Sequence, residues 1–391
     1  MADRGSGRSV RRARIVRLVV NLILVIVACQ IISLAARLIE FPVDTWLPRV
    51  PPGNLILTLF GLGCAALATV IVTHEAGHLL AGWLGGFRVH SLVIGPLQME
   101  NGENGFQISI NLLQPVRGLT SLVPVGEDRL VWRLTWVVLG GLVANLLVAL
   151  LSAGGFVAVL AADASPSLRI GFGLTALVAS STLIASLIPH RTGGMDTDGL
   201  RLLTLLRNDA RTERVLVSNI ALSQVFSGTR PRALDGEALA RAAAIRDSTP
   251  LELSAVSLAY VHTLDQGTPA HAESHLRRMI ELERLFTPPN RLELYAEAAY
   301  FEARWLGQAE AARTWIERVP QTQQAHTKTF KRGLAATLIA EGHSGAALAL
   351  LDEVLAAPLP RRPYGTTLAE REWLVDLRGL CAGESTIREA E

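Results

Sequence analysis

Residues 70–83, VIVTHEAGHLLAGW, place His74, Glu75 and His78 at the end of a long apolar run. Ionisable side chains are costly at membrane depth, and chemistry is the usual reason a chain keeps them there. In an α-helix positions i and i+4 share one face, so His74 and His78 can present ring nitrogens to a single cation. Glu75 lies beside that face and can take a proton from a water that the cation activates. This His-Glu-x-x-His spacing suits a zinc ion, which lowers the pKa of water toward neutrality while the glutamate acts as general base toward a carbonyl. A pair of interfacial histidines without metal is the bland alternative. Coordination would satisfy polar groups that hydrocarbon otherwise penalises.

Catalytic zinc ordinarily takes three protein ligands and keeps one position open. The third ligand should come from another helix at similar depth. SLIPHRTGGMDTDGLRLL, residues 186–203, offers Asp196 and Asp198, and placement alone leaves both open. His190 reads as a solvated interfacial histidine or a supporting residue, and His90 as surface. Asn145, a polar residue in an apolar run, should face other helices through packing, a hydrogen bond or a substrate contact. Gly140 and Gly141 read as close-packing positions.

The elements that would position these residues follow from composition. Half of the 391 residues are hydrophobic, and a mean hydropathy of +0.33 is high for a chain without membrane segments. Runs free of ionisable residues, each long enough to cross a bilayer, cover 18–36, 50–73, 134–162 and 170–189. The third is longer than needed, so it should tilt, bend near Gly154-Gly155 or continue into the interface. The leader, residues 1–17, carries six arginines against the lone Arg49 in residues 39–53, which places the N-terminus in the cytoplasm. The second and fourth spans then both descend inward, so His74 and Asp196/Asp198 meet the membrane on the same side. The net charge of +2 argues against nucleic acid as a partner, and Cys29, Cys64 and Cys381 imply no disulfide framework or thiolate site.

Between the second and third spans, RVHSLVIGPLQMENGENGFQISINLLQPV alternates around Asn101-Gly102 and Asn104-Gly105, a β-hairpin signal. Such a hairpin either covers the helix ends or offers a strand edge that holds a substrate extended. After residue 240 the pattern is helical. Aligning Gly267, Gly307 and Gly342 superposes Ala272, Ala312 and Ala347, then Leu276, Ile316 and Leu351, then Met279, Val319 and Val354. These spacings resemble tetratricopeptide repeats, helix pairs that stack into a peptide-binding surface.

HEAGH resembles the first motif of the site-2 protease family of intramembrane zinc metalloproteases. Residues 189–199, PHRTGGMDTDG, resemble its second, in which an Asp-Gly pair follows an Asn-x-x-Pro turn; Ser186 stands at the asparagine position. LGGLVANLL, residues 139–147, resembles the Gly-Gly-Pro-x-x-Asn motif of the middle core helix, with Leu142 in place of proline. The resemblance covers about residues 50–210. It implies one catalytic Zn2+ held by His74, His78 and Asp198, with Glu75 activating water. The expected fold is mostly α: a polytopic membrane bundle of about four spans with a small β-hairpin insertion, then an α-helical repeat domain in the cytoplasm. Its parts are a basic leader (1–17), a transmembrane core (18–210), a linker (211–240) and the repeat domain (241–391). The expected function is cleavage of membrane-embedded or membrane-proximal segments of membrane proteins in the lipid bilayer of the cell membrane, with a protein partner on the repeats. The alternative is an inactive membrane scaffold presenting those repeats. A transporter is disfavoured, because the spans show no internal repeat.

Overall fold

A computed structural model describes residues 52–110, 118–192, 195–320 and 327–383. Among them the chain forms α1 (Pro52–Leu84), β1 (Phe87–Ile94), β2 (Leu97–Gly102), β3 (Gly105–Ile110), β4 (Gly118–Pro124), α2 (Leu130–Ala161), α3 (Pro166–Leu187), β5 (Arg191–Thr192), β6 (Met195–Asp196), α4 (Asp198–Arg207) and α5 (Ala210–Phe226). There follow α6 (Gly236–Ala244), α7 (Pro250–Asp265), α8 (Pro269–Glu281), α9 (Pro288–Arg304), α10 (Ala309–Glu317), α11 (Lys328–Ala340), α12 (Ser344–Ala356) and α13 (Gly365–Cys381). The chain divides into two compact units, Met1–Val70 with Asn145–Ala185 and Ile71–Ala144 with Ser186–Glu391.

Three described helices are long and apolar enough to cross a membrane: Leu57–Leu84 within α1, and all of α2 and α3. The leader and the span expected at 18–36 lie outside the described residues. The run expected at 50–73 ended where ionisable residues begin, whereas the helix continues to Leu84 and carries the whole HEAGH motif. Gly85-Gly86 stop it, with Gly86 at a left-handed φ of +72° and its N–H on the Trp83 carbonyl at 3.2 Å. α2 is helical without interruption through Gly154-Gly155. In the first unit Gly155 is a packing position instead, since a Cβ there would lie 2.6 Å from the Phe172 ring of α3. Val70, Ala149 and Ala179 form the small core of this unit, while Leu57, Phe60, Leu150 and Leu151 are exposed, the kind of surface a lipid phase covers. Asn145 is fully buried there, and its amide meets no partner among the described residues.

The second unit contains a four-stranded antiparallel sheet in the order β3-β2-β1-β4, larger than the expected hairpin. Gly102 sits opposite Gly105, so Glu103-Asn104 make the turn: Asn101-Gly102 precedes it, and Asn104 of the second Asn-Gly pair lies within it. β1 and β2 are joined by Gly95-Pro96 with Gly95 at φ +56°, a two-residue turn that needs glycine first. β4 pairs only with β1 among the described strands and so forms an edge.

The C-terminal helices pack around one large core, with a second, smaller cluster of Ala296, Ala299, Ile316, Val319 and Phe330 beside it. Residues 211–240, expected as a linker, are largely helical: Asp209 opens α5 with a capping box and Asp235 caps α6. Ala221, Val225, Leu239 and Ala243 of these helices are buried with residues of α7 to α13. Gly267, Gly307 and Gly342 each lie between the helices of a pair at positive φ, +75°, +66° and +82°. The residues aligned behind them, Ala272, Ala312 and Ala347 foremost, are all buried. Helix α5 is tied to the sheet, because Ser223 Oγ donates to the Pro124 carbonyl at 2.6 Å. His90, expected at the surface, is half-buried and stacks on Phe226 with ring centroids 4.2 Å apart. At the hairpin tip the Tyr364 N–H donates to Glu103 Oε1 at 2.6 Å.

Candidate metal centre

Glycines let α2 press against the motif face of α1. A Cβ on Gly77 would lie 2.3 Å from the Gly140 carbonyl oxygen, and one on Gly140 would lie 2.4 Å from that of Gly77. One residue on, a Cβ on Gly141 would meet His78 Nε2 at 2.4 Å and His74 Cε1 at 2.8 Å. Gly140 and Gly141 are thus close-packing positions, and Gly141 also makes room for the imidazoles. His78 Nδ1 donates to the Val137 carbonyl at 2.7 Å, which orients the ring and leaves Nε2 free to ligate. His74 Nδ1 meets no partner among the described residues.

The carboxylate arrives from beyond α3. The chain turns through the β5–β6 ladder, Arg191 opposite Asp196, and Thr197 caps α4, accepting from the Leu200 N–H. The Thr197 hydroxyl also donates to the Ile188 carbonyl at 2.9 Å, anchoring the helix start to the end of α3. A Cβ on Gly199 would sit 1.9 Å from the Leu187 carbonyl oxygen, so the Asp-Gly pair is a steric requirement of this approach. Asp198, first residue of α4, is thereby brought to the imidazoles. Its Oδ2 lies 3.1 Å from His74 Nε2 and 3.5 Å from His78 Nε2, and the two Nε2 atoms are 3.1 Å apart. Ligands held about 2.0–2.1 Å from a tetrahedral zinc stand about 3.3 Å from one another, so the triangle fits that ion. Among the described residues this is the group that could hold a metal ion. Burial alone would raise the Asp198 carboxyl, but hydrogen bonds and charge from His74 and His78 outweigh it and hold the group well below the usual carboxylate range.

Asp196 goes elsewhere: its Oδ1 accepts from Arg191 Nε at 2.7 Å. His190 is exposed and bonds through Nδ1 to the Ile188 carbonyl at 2.9 Å. Glu75 is buried beside the donor triangle, with Oε2 accepting from Thr120 Oγ1 at 2.5 Å. A cavity of about 470 Å³ opens here, lined by His74, Glu75, His78, Asp198, Ser186 and the β4 segment Gly118–Leu122. Nothing local in the sequence marks Thr120 or Val137 as neighbours of the motif; both contacts span more than forty residues. Arg133 was also missed. Its guanidinium donates to the carbonyls of Gly85, Gly86 and Val125 at 2.6, 2.8 and 2.9 Å, fixing the end of α1 to the start of α2.

Long apolar helices combined with a two-imidazole, one-carboxylate donor group define a class: a membrane protein with a centre suited to a metal ion. Over residues 62–339 the chain matches the model of Peptidase family M50, the site-2 protease family, and it belongs to that family. M50 members are zinc metalloproteases. No curated protein and no solved structure gives a significant match.

Proposed function

We propose that the protein is an intramembrane zinc metalloendopeptidase that cleaves membrane-embedded or membrane-proximal segments of other membrane proteins. The observation that carries this reading is the donor triangle, three ligand-type atoms from α1 and α4 within 3.5 Å of one another, with a buried glutamate beside it. His74, His78 and Asp198 would hold the zinc. When bound, zinc supplies Lewis acidity, which lowers the pKa of a water and polarises a carbonyl. Glu75 accepts the proton of the attacking water on its carboxylate and returns it to the departing amine. An intact helix hides its carbonyls in its own hydrogen bonds, so the substrate must be extended at the cut. The edge of β4 that no described strand pairs with, beside the cavity, is suited to hold it so.

The arginine-rich leader supports N- and C-termini in the cytoplasm of a multi-pass membrane protein. The glycine turns and buried alanines of α7 to α12 support a tetratricopeptide-like stack that recruits a substrate or regulator. The test is Glu75→Gln in the full chain: zinc stays bound, cleavage falls by about 10²- to 10⁴-fold, and comparative membrane proteomics shows uncut single-span proteins accumulating. Cleavage at the wild-type rate by Glu75→Gln overturns the assignment, and a wild-type chain that binds no zinc returns the reading to a scaffold.

A further inference from the structure

We infer that Thr120 and Gly118 of β4 are positioning residues for Glu75, so that the strand beside the cavity also aims the general base; this rests on the proposed proteolytic role of Glu75. A glutamate follows its helix with three rotatable side-chain bonds, so its carboxylate needs an outside hold. What holds it comes from β4. Thr120 Oγ1 donates to Oε2 at 2.5 Å, while Oε1 occupies the space a side chain at position 118 would take, 2.1 Å from where a Cβ would stand. The blocking atom is the far end of Glu75, so any residue larger than glycine at 118 displaces the carboxylate rather than the strand.

The register shows why these two positions serve. Residues 118, 120 and 122 share one face of a strand. On that face Gly118 and Thr120 meet Glu75, and Leu122 fills the notch at Gly82, where a Cβ would lie 2.4 Å from its Cδ1. Glu75 and Gly82 are seven residues apart, about 10 Å along one face of the helix, which is about three residues of strand. β4 therefore lies along α1 in step with it, locked at Gly82 and holding the carboxylate at the other end. The hydroxyl also gives the buried carboxylate a charge-assisted hydrogen bond. A purely structural Thr120 would satisfy a buried group without affecting turnover, and the two roles separate by experiment.

The test uses the full-length protein, zinc-loaded for kinetics, in four chains, wild type, Thr120→Val, Thr120→Ser and Gly118→Ala, with Glu75→Gln as a fifth chain that assigns the infrared band. Valine keeps the shape and strand preference of threonine but cannot donate. Thr120→Val and Gly118→Ala are expected to lose kcat by about 10- to 100-fold with KM and zinc stoichiometry unchanged, and Thr120→Ser to recover most of kcat. Loading with cobalt(II) should give the same visible spectrum in all four, because the ligands are untouched. In metal-free protein, the carboxylate infrared band removed by Glu75→Gln should shift in Thr120→Val and not in Thr120→Ser. Wild-type kcat and an unshifted band in Thr120→Val overturn the inference while leaving the proteolytic reading intact. A wild-type chain without cleavage or zinc overturns that reading instead, and the infrared shift then still decides whether β4 holds Glu75.

Discussion

The donor triangle and the Arg332 cluster both bury charge, and they do so in opposite ways. Arg332 of α11 is fully buried between aromatic rings, its guanidinium 4.0 Å from the centroid of Tyr300 and 4.7 Å from that of Trp373. It pairs with Glu297 of α9 and, at 2.9 Å, with Glu370 of α13. That cluster contains its own cation and fastens three helices together. The triangle of His74, His78 and Asp198 has no permanent cation among its side chains, and it lines a cavity. Burial of ionisable groups is therefore a poor guide to function by itself. Ligand atoms that converge without a cation of their own, beside a space a substrate can enter, are a better one.

Arg332→Ala leaves the partly buried carboxylates of Glu297 and Glu370 without their cation and should destabilise the C-terminal helices by about 3–5 kcal/mol, measured by denaturant unfolding, while the folded fraction keeps its zinc. Zinc loss in the folded fraction would mean that the two clusters are not independent.

A smaller effect follows from Glu370. Burial, with Arg332 acting against it and Glu297 adding to it, pushes its carboxyl up from 4.5 to about 7. The folded state thus holds this proton more tightly than the unfolded one. The associated stability is full below about pH 4.5 and is lost as pH rises through about 7, by about 3 kcal/mol at most. Unfolding of Glu370→Gln should lack that part of the pH dependence; an unchanged slope between pH 5 and 8 would show that Glu370 is ionised throughout. Smallest is Asp196→Ala, which removes the partly exposed pair with Arg191 and should cost about 0–1 kcal/mol with zinc retained.

What the sequence made legible is what repeats or stands in a short window. The i, i+4 histidines, the spans of α2 and α3, and the glycines at 267, 307 and 342 all declare themselves through local spacing. Asp198 could be separated from Asp196 only by resemblance to the Asp-Gly motif; the physical reason, Gly199 against the Leu187 carbonyl, is a tertiary contact. The charge-free run at 50–73 did not show where α1 ends, because such a run measures hydrocarbon, not helix; the helix carries the motif on to Leu84 and stops at Gly85-Gly86. The sheet exceeded the expected hairpin because GLTSLVP pairs with a strand that precedes it by some thirty residues. The Gly95-Pro96 turn was the signal available for that meander. Helices α5 and α6 fall in the stretch expected as a linker; the local signals available for them were the caps at Asp209 and Asp235. The stacking of His90 on Phe226 and the hold of Thr120 on Glu75 join distant segments and leave no local trace.

The most direct test is zinc per chain in purified full-length protein, compared across wild type, Asp198→Ala and Asp196→Ala. Wild type and Asp196→Ala should each carry close to one zinc, and Asp198→Ala close to none. Zinc retained by Asp198→Ala, or lost from Asp196→Ala, would contradict the donor triangle on which the proposed chemistry rests.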